Sequence, residues 1–74
     1  MQSYIVCLDT LEKVKQFVNL MNTNGFVGDL TQGRYVVDAC SILGVLALDL
    51  TRTIKLETMS DVKETLRSFI VDTA

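Results

Sequence analysis

A β-prone run stands directly ahead of a helical stripe, and that order limits the fold more than any other feature of the chain. Tyr4-Ile5-Val6-Cys7-Leu8 combines β-branched, aromatic and apolar residues and predicts a first strand. Tyr4, Val6 and Leu8 share one face by the two-residue period, with Ile5 and Cys7 on the other. From Leu11 to Met21 the period changes. Leu11, Val14, Phe17, Val18 and Met21 form one stripe of an amphipathic helix, while Glu12, Lys13, Lys15, Gln16 and Asn19 take the opposite side. Asp9 with Glu12 three residues on resembles a capping box, and Thr10 is an alternative cap. Asn22-Thr23-Asn24-Gly25 stops the helix, Gly25 being suited to a left-handed C-terminal position.

The rest of the chain follows the same alternation of type. Phe26–Thr31 and Arg34–Ala39 predict a β-hairpin around the Gln32-Gly33 turn, which makes Arg34 and Tyr35 surface residues. Ser41 then caps an apolar run that predicts a short helix dissolving into a turn near Asp49. Thr51–Thr58 alternates as a half-buried strand, with Ile54 and Leu56 inward and Thr53, Lys55 and Glu57 outward. Ser60 is placed to cap a last helix, whose stripe is Val62, Leu66, Phe69 and Ile70. A strand–helix–strand unit needs a crossover, whereas the hairpin is antiparallel. The expected fold is therefore α+β, with helices on one face of a sheet.

Composition removes several classes of function. Residues 1–74 suffice for a single domain near the lower size limit for one core, and 49% of them are apolar. Net charge is −2, and the seven basic residues form no run, which argues against nucleic-acid binding by phosphate neutralisation. Nothing resembles a signal peptide or a membrane span, so no membrane insertion is expected and the expected location is cytoplasmic. Histidine is absent, which excludes Ser-His and Cys-His nucleophile pairs and histidine metal ligands. Cys7 and Cys40 are too few for a disulfide framework or a zinc site, and Cys7 has no evident basic neighbour to activate it. No catalytic constellation, metal site or cofactor is expected, and the chain is read as not an enzyme.

With its elements placed, the chain resembles HPr, the phosphocarrier family of the bacterial phosphoenolpyruvate-dependent sugar phosphotransferase system. The most specific match is Ser41-Ile42-Leu43-Gly44-Val45-Leu46-Ala47-Leu48, similar to that family's Ser-Ile-Met-Gly-Val-Met-Ser-Leu stretch. The resemblance implies an open-faced β-sandwich, a four-stranded antiparallel sheet covered on one face by two longer helices and one short helix. It also implies a role in sugar transport and carbon catabolite regulation. The family's carrier chemistry does not transfer. Its histidine lies in a Gly-x-His-Ala-Arg-Pro motif at the start of the first helix, where this chain reads Leu8-Asp9-Thr10-Leu11-Glu12-Lys13. Asp9 and Glu12 put negative charge where a phosphoryl group would sit, and Thr10 cannot form a phosphoramidate.

The second family feature is retained. The serine aligned with Ser41 is phosphorylated by an ATP-dependent kinase in some relatives, and residues aligned with Ile42, Leu43 and Leu46 dock protein partners. Partners implied by the resemblance are phosphotransferase-system enzymes, an HPr-type kinase or a transcriptional regulator. Cys40 departs from the basic residue many relatives carry before that serine. Two readings stand for each of these positions: Ser41 as plain N-cap or as modified cap, and Ile42, Leu43 and Leu46 as core or as exposed patch. A small-ligand regulatory domain of the ACT or ferredoxin-like type is the alternative, distinguished by strand order and by the short helix at Ser41. A purely structural interaction module is the third.

Overall fold

The computed structural model describes residues 1–73. Its strands are β1 (Gln2–Val6), β2 (Gly28–Gln32), β3 (Tyr35–Asp38), β4 (Ile54–Thr58) and β5 (Ile70–Thr73), and its helices are α1 (Leu11–Thr23) and α2 (Ile42–Leu46). The strands form one sheet in the order β3-β2-β4-β1-β5, with every neighbouring pair antiparallel. β4 lies between β1 and β2, so the first crossover spans one intervening strand, a split β-α-β arrangement.

The alternation expected along β1 and β4 is present. Tyr4, Val6, Ile54 and Leu56 are buried on one face, joined by Leu30 from β2, while Ile5, Thr31 and Lys55 occupy the other. α1 lays Val14, Phe17, Val18 and Met21 on the buried face. Leu11 departs from the predicted stripe and is exposed, because it is the first helical residue and lies beyond the edge of the core. The cap is Thr10, whose Oγ1 accepts from the Lys13 amide at 3.1 Å. Asp9 instead pairs with Lys13 at 2.8 Å, so the Asp9/Glu12 capping box is not formed.

The α+β class holds, but the count of four strands and three helices does not. In place of a last helix, residues 63–69 make a succession of turns after an irregular 60–62, and Ile70–Thr73 becomes a fifth strand beside β1. The expected stripe is nonetheless buried at Val62, Leu66 and Phe69. Leu66 makes one helical-type bond to Val62, but Phe69 and Ile70 bond three residues back, to Leu66 and Arg67. Two local causes favour turns. Ser60 is drawn into the strand ends, its amide donating to Thr58 Oγ1 and its hydroxyl accepting from the Val27 amide, so it caps nothing. At the far end the Phe69 carbonyl accepts from the Cys7 amide at 2.9 Å, which pulls the chain into extended pairing with β1. The rings of Phe17 and Phe69 meet edge to face, with centroids 5.7 Å apart, and join this segment to α1.

Gly28 marks the tightest approach between strands. A Cβ there would lie 2.9 Å from the Glu57 carbonyl oxygen, so the β2–β4 pairing requires a residue without one.

Candidate functional site

The turn into α2 is built from its own neighbours. Asp38 Oδ1 accepts from the Cys40 amide at 2.9 Å and the Asp38 carbonyl from the Ser41 amide at 3.1 Å, closing the chain after β3. Asn22, near the end of α1, donates to the Cys40 carbonyl at 3.1 Å, and the Cys40 thiol donates to the Phe26 carbonyl at 3.3 Å. The start of α2 is thereby tied to the C-terminal turn of α1 and to the segment leading into β2. Burial, then the neighbouring Asp38 carboxylate, pushes the Cys40 thiol pKa up, so the group is held protonated.

Ser41 has extended backbone, and its Oγ accepts from the Gly44 amide at 3.2 Å. It is the N-cap the sequence predicts. Gly44 lets the helix lie close to the sheet, because a Cβ there would meet Val37 Cβ at 3.3 Å. Val45 is the one fully buried residue of α2, and Leu48 follows it into the core. The other large side chains turn outward: Ile42 is 37% exposed, Leu43 78% and Leu46 41%. At positions i, i+1 and i+4 they share the solvent side of one short helix. From Ala39 to Leu48 no residue is charged, and Asp38 and Asp49 flank the stretch.

The start of α1 has a different character. Ion pairing with Lys13 lowers the pKa of Asp9 and raises that of Lys13, so both remain charged across the neutral range. The threonine there is occupied as a cap. Cys7 and Cys40 are free thiols, each half-buried. Among the described residues no group of three or more His, Cys, Asp or Glu side chains is placed to hold a metal ion, and no helix is long and apolar enough to cross a membrane.

One region escaped the sequence reading. A cleft of about 410 Å³ separates the β2–β3 turn from the loop after α2, with Arg34 and Tyr35 on one wall and Asp49 and Arg52 on the other. Its walls are joined by Gln32, whose side-chain amide donates to the Asp49 carbonyl and accepts from the Asp49 amide, both at 2.8 Å. Residues 32 and 49 carry no periodic or motif signal that would pair them, so only the fold brings these groups together.

Comparison with family models, with characterised proteins and with solved structures yields no match to this chain.

Proposed function

We propose that this chain is a protein-docking and regulatory module of HPr type, acting through the Ser41 face and not as a phosphohistidine carrier. The observation that carries the reading is the solvent-facing set Ile42, Leu43 and Leu46 on a helix whose inward residue, Val45, is fully buried. Core packing accounts for Val45 and leaves Leu43 in solvent with Ile42 and Leu46 partly exposed beside it, and contiguous exposed apolar side chains can mark interaction sites. The short capped helix favours this reading over a ligand-binding domain of the ACT type, whose sheet needs no such element, whereas the split β-α-β strand order is compatible with both. The proposed partners are phosphotransferase-system proteins, an HPr-type kinase or a transcriptional regulator of carbon use.

Ser41 is the proposed control point. A phosphoryl group adds roughly −1.5 to −2 charge. Here it would enter a segment that is otherwise uncharged, beside the apolar side chains that make the contact. Phosphorylation would thus change the face from apolar to strongly anionic and select between partners.

The test has two parts. Incubation with an HPr-type kinase and ATP, followed by mass spectrometry, should place one phosphate on Ser41 and none on Ser41→Ala. Partner binding should be lost in Leu43→Asp while stability changes by less than ~0.5 kcal/mol, as expected at an exposed position. Failure of all cognate kinases to modify Ser41 removes the phosphoserine branch. Unfolding of Leu43→Asp would return Leu43 to the core and remove the docking branch.

A further inference from the structure

The cleft between the β2–β3 turn and the loop after α2 holds a pair of arginines with no role in the docking face. Arg34 comes from the hairpin turn and Arg52 from the chain approaching β4, and both residues line this cleft. Among the described residues the only ion pair is Asp9–Lys13, which leaves both arginines without a carboxylate partner inside 4.0 Å. Asp49 is the one acidic residue lining the cleft; hydrogen bonds to its Oδ1 from the hydroxyl and amide of Thr51, at 2.6 and 3.1 Å, and to a lesser degree the Arg52 charge, lower its pKa and keep it ionised, so the two arginines face a single carboxylate. The reciprocal Gln32–Asp49 backbone clamp fixes the spacing of the walls before any ligand arrives. Such prior ordering lowers the cost of binding.

We propose that this cleft binds a small soluble phosphate monoester. Guanidinium groups suit this ligand because their planar forks match phosphate oxygens and they are weakly hydrated. Two forks from different walls can engage different oxygens of one tetrahedral group, whereas a carboxylate offers only two oxygens in a plane. The volume lies within the range of small-molecule sites and exceeds what the anion alone fills. Tyr35 is 63% exposed beside Arg34 and gives the organic part of the ester an aromatic surface to pack on. None of these groups belongs to the Ser41 face, so the inference stands apart from the docking proposal.

Phenyl phosphate and inorganic phosphate are the probes, titrated at constant ionic strength and followed through backbone amide resonances. Saturable shifts confined to Gly33, Arg34, Tyr35, Ala47, Asp49 and Arg52 are expected, with phenyl phosphate binding more tightly than inorganic phosphate. Arg34→Gln and Arg52→Gln should each raise the apparent Kd by about tenfold or more, since each removes a charged hydrogen-bond donor set. Lys63→Gln, outside the cleft, should leave the Kd unchanged, and resonances remote from each change should confirm the fold. Shifts that do not saturate, that spread to Lys15, Lys55 and Lys63, or that persist in the double arginine variant would overturn the proposal. So would equal binding of benzoate. Co-sedimentation with phosphatidic acid vesicles, with no binding of phenyl phosphate, would assign the arginines to a lipid surface and overturn the soluble-ligand inference.

Discussion

Cys40 lies in the turn between β3 and α2, where its thiol is partly buried. Burial and the Asp38 carboxylate raise its pKa in the folded chain. Between the ordinary thiol range and that raised value, the native state retains a proton that the unfolded chain has released. The stabilisation is complete below the ordinary range and declines as pH rises through the folded pKa. Ionisation also removes the thiol donor to the Phe26 carbonyl. Urea denaturation at pH values spanning the thiol titration should therefore show an alkaline loss of stability that is shallower in Cys40→Ala. A slope of equal steepness in the variant would show that Cys40 does not cause it. This residue also shows what the sequence conceals. The hydroxyl of Ser41 and the apolar run after it identify the cap and the helix. They do not say which apolar residues the sheet will cover, because a five-residue helix has room to bury only Val45. The thiol donates to the Phe26 carbonyl, which is distant in sequence, while the Asp38 carboxylate two residues away accepts from the Cys40 backbone amide.

Strands differ from helices in how much of their environment the sequence discloses. The inward faces of β1 and β4 were legible because a period of two assigns each residue to a side. Cross-strand partners were not, and they create an unfavourable row on the open face. Asp29 of β2 stands directly opposite Asp38 of β3 on one side and Glu57 of β4 on the other. Like charges facing one another across strands are destabilising, and replacing the central one relieves two such pairs at once. Asp29→Thr should raise stability by roughly 0.2–1 kcal/mol, read from the urea midpoint at low ionic strength. The gain should shrink as salt is added, since screening already reduces the repulsion in the parent chain. A variant less stable than the parent would show that the Asp29 carboxylate makes a favourable interaction outweighing this repulsion. The final element shows the opposite failure. The spacing of Val62, Leu66 and Phe69 identified the buried residues correctly, yet a three-and-four spacing fits successive turns as well as a helix. The requirements of Ser60 and Phe69 at the two ends decided between them.

In a molecule this small, the core is shared by so few elements that none is dispensable. The turn-rich segment places Val62, Leu66 and Phe69 against residues from β1, α1 and β4 in one cluster. Truncating a buried aromatic to alanine costs about 3–5 kcal/mol. Typical domains hold only ~5–15 kcal/mol in all, and short ones sit toward the lower end. Phe69→Ala should therefore leave a substantial unfolded population at 25 °C, seen as lost amide dispersion and a broadened thermal transition. A cooperative transition close to that of the parent would show that the α1–turn contact carries little of the stability. The same dependence explains why the α+β class was readable while its details were not. The class follows from which segments are amphipathic, whereas strand number depends on which of them reach the sheet.

The strand order carries a consequence for synthesis. β4 forms the middle of the sheet, with β2 on one side and β1 on the other, yet it is the next-to-last strand in the chain. As the polypeptide leaves the ribosome, β1, α1 and the β2–β3 hairpin emerge first and have no central strand to join them. Translation proceeds at roughly 5–20 residues per second, slowly compared with the collapse of a short chain. For seconds the nascent chain therefore holds an amphipathic helix and an unpaired first strand whose apolar sides await residues not yet made. The sheet cannot close before Ile54–Thr58 has been made and has emerged, because β1 and β2 are joined only through it.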